Sequence, residues 1–454
     1  MQPPRLKHAL ASLILALATP LASAQDLLQV WQSALQRDPS YAAAQSARNA
    51  EQERIPQARA QLLPSLEAQA GTYAQDKRHA SKLDRSSGSN QNLWSLTLPQ
   101  PVIDVARWRE LEQSHFHASS ADVAQQLAYQ NLILRVTQAY FDVLAAQDTL
   151  DVIHAQIRAA EHQLRSAQQS FTLGGTTIAD THETQSRLDL LHAAEIQAQN
   201  VQQIARDALA NLIYEPVGPL ATLRTDIPLP QPQPVSIDQW LTQATSANLE
   251  VLRADLDARI AENRIAVARS GHYPTLSLQA QTGSASDRRL YSNNQGPRSL
   301  DSSIGLQLSI PLYSGGGISS QVREQTLRLQ QARYQLEAAK RVATQSTQQY
   351  FSSVLSGLSQ VQALRAAEAS SLASVEANQI GYEVGVRVNI DVLNAQQQLY
   401  ETQRSLARAR YDTLMHGLRL KASSGSLDES DIIAINDLLL TRQPQQQPTA
   451  TTTP

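Results

Sequence analysis

Ten histidines, 41 acidic residues and no cysteine bound the chemistry open to this chain of 454 residues. Without cysteine there is no disulfide framework and no thiolate for nucleophilic, redox or metal chemistry. His115 and His117 stand two apart, a spacing that sends them to different faces of a helix. His154, His162, His182 and His192 form no pair with the H-E-x-x-H spacing that puts two imidazoles on one zinc. Gly315, Gly316 and Gly317 lie between a strand pattern and a helix pattern, as a phosphate loop would. No Lys-Ser or Lys-Thr follows them, so a strand-to-helix turn accounts for the run. Two carboxylates stand out by position. Asp180 and Asp391 each follow a glycine, Gly174 and Gly385, where a left-handed turn is expected. Both can cap the helix that follows, and Asp180 with Glu183 has capping-box spacing. No acid, base and nucleophile converge in the pattern. The expectation is a protein that is not an enzyme and holds no metal or cofactor.

The two aspartates are copies of one another, because the chain repeats at an offset of about 210 residues. Pro64 answers to Pro274, Pro101 to Pro311, and Tyr140-Phe141 to Tyr350-Phe351. Beyond one inserted residue, Gly174 answers to Gly385 and Asp180 to Asp391. The boundaries expected are a signal segment 1–24, a first repeat 25–215, a proline-rich linker 216–237, a second repeat 238–426, a short amphipathic element 427–440 and a disordered tail 441–454. The signal reading rests on Arg5, Lys7 and His8, an apolar stretch from 10 to 21, and the Ala22-Ser23-Ala24 cleavage pattern. It predicts an exported protein.

Each copy reads helix, strand, strand, very long helix, glycine turn, long helix. Residues 26–63 read as helix, broken early at Asp38-Pro39. Four segments alternate with period two: 66–70, 94–98, 276–280 and 304–310. Each shows one apolar and one polar face. Polar stretches 75–92 and 284–303 between the members of each pair read as mobile surface loops. From about 106 to 171 there is neither proline nor glycine, so one helix there would run about 100 Å at 1.5 Å per residue. Its seam from Val136 through Val143, Leu150, Ile157 and Leu164 to Phe171 steps by three and four, as in a coiled coil. Returning helices are expected over about 180–213 and 391–422, and the second hairpin carries Arg365 and Glu368 within its seam.

Net charge of −3 and 5% aromatic residues give no electrostatic footprint for nucleic acid. Four alternating strands could belong to a soluble sheet. In an exported chain they could also cross an outer membrane, but only by pooling strands between subunits. A spanning barrel needs about eight strands or more, and an open sheet cannot leave backbone groups unpaired in lipid. Two subunits would give eight strands and three would give twelve.

The residues resemble those of the TolC outer-membrane channel-tunnel family of Gram-negative bacteria. The likeness is carried by Asp38-Pro39 and by the runs LLPSL at 62–66, AYFDVL at 139–144, HYPTLSL at 272–278, IPLYSGG at 310–316, GYEVGVR at 381–387 and IDVLNAQ at 390–396. The resemblance implies an α+β membrane protein: a homotrimer with one twelve-stranded β-barrel, four strands per protomer, continued by a long periplasmic α-helical barrel. It implies outer-membrane lipid around the barrel, a periplasmic adaptor (membrane fusion protein) at the tips, and an inner-membrane transporter of ABC, RND or MFS type. Gly174, Gly175, Val384, Gly385 and Val386 are then the adaptor-docking tips. Tyr382 and Arg387 match residues that tie the inner hairpin, with Asp180 accepting from them, although Ala179 stands where the family usually has threonine. Asp391 matches one carboxylate ring of the constriction, and Asn394 stands where a second ring is common. The function implied is an export duct for small toxic compounds or proteins. Two other readings remain: a periplasmic coiled-coil scaffold or adaptor, which leaves the four strands without a role, and an exported helical enzyme.

Overall fold

The computed structural model describes residues 24–77, 87–175, 177–224, 227–289 and 295–440. Nearly all of the expected signal segment and the whole of the expected tail lie outside them. In chain order come helices α1 (Leu27–Arg37), α2 (Pro39–Gln52) and α3 (Arg54–Ala60), then strands β1 (Glu67–Lys77) and β2 (Ser87–Ile103). Helices α4 (Val105–Thr172) and α5 (Ile178–Ile213) and strand β3 (Thr222–Leu223) follow. The second copy has α6 (Ile237–Ala247), α7 (Leu249–Ser270), β4 (Thr275–Arg289), β5 (Gln295–Ser309), α8 (Gly317–Glu383) and α9 (Asn389–Ser424). The chain closes with α10 (Glu429–Asn436) and β6 (Leu439–Leu440). Two compact units divide it, and α4 and α8 contribute to both. Among the described residues no helix is long and apolar enough to cross a membrane.

One unit holds the sheet, with order β1-β2-β4-β5 and every pair antiparallel. The register stacks the apolar positions on one face. Ala70 opposes Trp94, Ala68 opposes Leu96, and Leu96 opposes Thr282. Leu98 opposes Ala280, Ala280 opposes Ile304, Leu278 opposes Leu306 and Leu276 opposes Leu308. The other face carries Gln69 against Ser95, Thr97 against Gln281, Gln279 against Gly305 and Ser277 against Gln307, with Gln279 Nε2 donating diagonally to Gln307 Oε1 at 2.6 Å. Trp94, Leu300, Ile304, Leu306 and Leu308 are all exposed, Ile304 by 76%. Proline is tolerated in β2 because the β1 ladder runs only as far as Thr97; beyond it Pro99 need only accept, its O taking Ser65 N at 3.3 Å, and the register with β4 shifts just after Pro101.

The polar stretches expected to be loops are shorter than 75–92 and 284–303. β1 extends to Lys77, β2 starts at Ser87, β4 extends to Arg289 and β5 starts at Gln295. A ladder satisfies backbone groups whatever the side chains, so strands can outrun the apolar alternation that marks them in sequence. The expected helix over residues 26–63 is three helices. Asp38, extended before Pro39, is buried and takes Arg135 Nη2 on both oxygens at 3.1 and 3.2 Å. In the second copy Asn248 caps α7 at the corresponding break, its Oδ1 accepting from Glu250 N and Val251 N.

The other unit holds both helical hairpins. In the α4–α5 hairpin Leu150, Ile153, Ile157 and Ala160 pack on Leu188 and Ala198, with Leu164, Leu191 and Ala194 around them. These are seam positions, and their three-four spacing is why α4 stays pressed to α5. The α8–α9 seam is more polar, as expected: Gln403 Nε2 donates to Glu368 Oε1 at 3.1 Å, and Arg365 Nη2 to Ile227 O. Where the hairpins begin, Trp240, Phe351, Val354 and Leu420 form one cluster, and Phe141 stacks on Tyr411 with ring centroids 5.2 Å apart. The amphipathic element after α9 docks here too. β6 pairs with β3 of the linker, Asn436 Oδ1 accepts from Leu28 N, and Asp431 takes Lys421.

Candidate functional site: the hairpin tips

Each hairpin turns by the same device. At the end of α4, Gly174 N donates to Phe171 O at 3.0 Å and Gly175 N to Ser170 O at 2.7 Å. At the end of α8, Gly385 N donates to Tyr382 O at 3.1 Å and Val386 N to Gly381 O at 2.8 Å. These paired bonds are Schellman motifs, which need a left-handed residue just past the helix. Gly174 and Gly385 supply it, with φ of +79° and +77°. Neither has any atom within 4 Å of where a Cβ would sit, so the constraint is backbone conformation and not crowding. Around the turns Leu173, Ile178, Val384, Val386 and Val388 are exposed, Leu173 by 87%.

The returning helices start differently from the sequence expectation. Asp180 is not the N-cap of α5; Thr177 is, and Asp180 stands three residues on as its capping-box partner in place of Glu183. Thr177 N donates to Asp180 Oδ2 at 3.0 Å, and Asp180 N to Thr177 Oγ1 at 3.3 Å. Asp391 does not cap α9 either. Val388 occupies that place without a side-chain bond, and Asp391 lies in the first turn. A carboxylate there is favoured by the positive end of the helix dipole. A threonine with an acid three residues later competes as cap with the acid itself, and a β-branched cap without oxygen leaves no signal at all.

Of the expected tie residues, Arg387 stands by Asp391 and Tyr382 lies near Asp180. Arg387 Nη1 lies 3.5 Å from Asp391 Oδ2, one turn along the same segment. Tyr382 has its phenol pushed above the ordinary range, first by burial and then by the Asp180 carboxylate nearby. Asp391 is half-buried and Asn394, one turn on, is exposed. Three further residues were given no role in the sequence analysis. Gly381 lies under the Arg387 side chain. Asn389 and Thr184, both buried, bond to each other at 2.8 Å between α9 and α5. Nothing in a single sequence marks such partners, since each is defined by what faces it from another helix.

Residues 30–213 and 240–426 match the family described as Outer membrane efflux protein. This chain belongs to the outer membrane efflux protein family. It is 34% identical over 429 residues to Outer membrane protein TolC of Escherichia coli K12, covering 92% of this chain and 86% of that protein. It is 30% identical to the Proteases secretion protein PrtF of Dickeya chrysanthemi, covering 95% of each. Among solved structures, the Campylobacter jejuni CmeC outer membrane channel superposes with a TM-score of 0.77 over 97% of this chain and 98% of its own, at 14% identity. The fold is thus that of the outer-membrane channels. The protein is an outer-membrane export duct with a periplasmic extension.

Proposed function

We propose that three copies of this chain close a single twelve-stranded barrel and that the hairpin tips gate the duct. The observation that carries the proposal is the open antiparallel sheet. Its apolar face is exposed, and among the described residues β1 and β5 each pair on one side only. Lipid would cover the apolar face, and pairing of β5 with β1 of the next protomer would satisfy both edges, as a spanning sheet requires. Three protomers would set three Asp391 carboxylates around one axis, a cation-attracting ring held in check by Arg387. Asn394 in place of a second acidic ring weakens that field. The exposed apolar residues beside Gly174, Gly175, Val384, Gly385 and Val386 suit the docking of a periplasmic adaptor, which would couple the duct to an inner-membrane transporter of ABC, RND or MFS type. The cargo would be small toxic compounds, secreted proteins or both.

The test is electrophoresis of detergent-extracted outer membranes with and without heating. A heat-sensitive band at three times the chain mass supports the proposal. Monomer recovered in the soluble periplasmic fraction refutes it.

A further inference from the structure

We infer that Asn389 is a positioning residue for the Asp391 constriction: a buried amide clasp that joins the α8–α9 hairpin to the α4–α5 hairpin and must open when the tip opens. The inference rests on the reading of the tips as a gate. Asn389 is 1% exposed and Thr184 0%. The amide is used at both ends. Its Oδ1 accepts from Gln163 Nε2 of α4, and its Nδ2 donates to Thr184 Oγ1 of α5 at 2.8 Å. Thr184 Oγ1 donates in turn to Asp180 O at 2.8 Å. One directed chain of hydrogen bonds therefore crosses three helices and ends on the backbone of Asp180, the residue beside Tyr382.

Two features make this a device for register and not only packing. Val392, Leu393 and Leu399, which follow on α9, are buried and apolar, so an apolar side chain at 389 would suit the interior without any desolvation cost. A buried Asn paired across helices fixes one register, because every other register leaves its amide unpaired. Asn389 also opens α9 beneath Val388, a cap with no side-chain bond. Its amide is spent sideways on the other hairpin and not on its own helix. Residues two apart on a helix point about 200° from each other. Holding Asn389 inward thus turns Asp391 outward, with Asn394 on the exposed side one turn later. Rotation of α9 that moves Asp391 off the axis must break the Asn389–Thr184 bond.

The experiment is single-channel recording of the full chain in planar bilayers. It compares wild type, Arg387→Ser as the reference for an opened gate, Asn389→Leu, Thr184→Val, Thr184→Ser and the double variant Asn389→Leu/Thr184→Val. Loss of one hydrogen bond of ordinary strength raises open occupancy about fivefold. A rise of at least that size is expected for Asn389→Leu, which also loses the bond from Gln163, and for Thr184→Val, which also loses the bond to Asp180 O. Thr184→Ser keeps the hydroxyl and the wild-type trace. The double variant opens by less than the two single effects combined, since the Asn389–Thr184 bond that both remove is lost only once. If Asn389→Leu assembles no trimers, the near-isosteric Thr184 pair decides. Wild-type conductance in Thr184→Val while Arg387→Ser opens overturns the clasp and leaves the gate standing. Equal opening of Thr184→Val and Thr184→Ser overturns it too, because the hydroxyl would then be irrelevant. No opening in Arg387→Ser removes the gate, and the clasp with it.

Discussion

Adding one methyl group at Gly381 is expected to loosen the gate while leaving the fold as stable as before. Gly381 lies near the end of α8, and a Cβ there would meet Arg387 Cγ at 2.7 Å and Arg387 Cβ at 3.3 Å. Carbon atoms in contact prefer about 3.5–4.0 Å. Were Arg387 to stay, the overlap would cost about 1–3 kcal/mol, as overpacking does. Arg387 need not stay, because its side chain is 58% exposed. It can swing outward and give up Asp391, a half-exposed pair contributing less than about 1 kcal/mol. Alanine within a helix is favoured over glycine by about 1 kcal/mol, which offsets that loss. The carbonyl of Gly381 still accepts from Val386 N and Arg387 N. Gly381→Ala should therefore leave the thermal dissociation temperature of the trimer unchanged within a few degrees, and raise bilayer conductance toward that of Arg387→Ser. Wild-type conductance in a stable Gly381→Ala trimer would refute the link between this glycine, Arg387 and the gate. So would a large loss of stability, which would mean that Arg387 cannot move.

Three further outcomes follow from the same geometry. Asp391→Asn should abolish cation selectivity and block by multivalent cations, and Asn394→Asp should strengthen both; ion substitution in bilayers measures each. Gly174→Val and Gly385→Val force a β-branched residue to φ near +79° and +77°, costing about 1–2 kcal/mol locally. No atom lies within 4 Å of the new Cβ, so trimers should form while export in cells fails. His416, stacked near Tyr350 at 6.4 Å between centroids, is held below its ordinary value of 6.5 by burial and then by Arg419. Its folded-state value is depressed, so its contribution is intact above pH 6.5 and is lost as pH falls through the lower folded value. His416→Gln should therefore lessen the acid-induced drop in trimer melting temperature below pH 6.5.

Much of this was legible because long repeats of simple pattern leave little ambiguity. The α4 seam through Val143, Leu150 and Ile157 is buried as its spacing predicts. The apolar residues of four short segments fall on one face, because the register pairs Leu96 with Ala68 and Leu278 with Leu306. The strand ends were not legible, since beyond Ala74 and Ser284 neither face is consistently apolar and only the ladder defines the strand. The caps were misread where Thr177 and Asp180 both offer an oxygen that can accept from the N–H groups of a helix start. Thr184 and Asn389 carried no signal, and Gly381 only membership of the run 381–387, because their importance lies in Arg387, Gln163 and each other across helix boundaries.

Single-channel conductance of the purified protein in a planar bilayer, with Arg387→Ser beside wild type, tests the account most directly. A small cation-selective conductance that rises in Arg387→Ser is the predicted result, since removing the guanidinium frees Asp391 and the inner hairpin. Correctly folded protein that conducts no ions in either form would contradict both the pore and its gate.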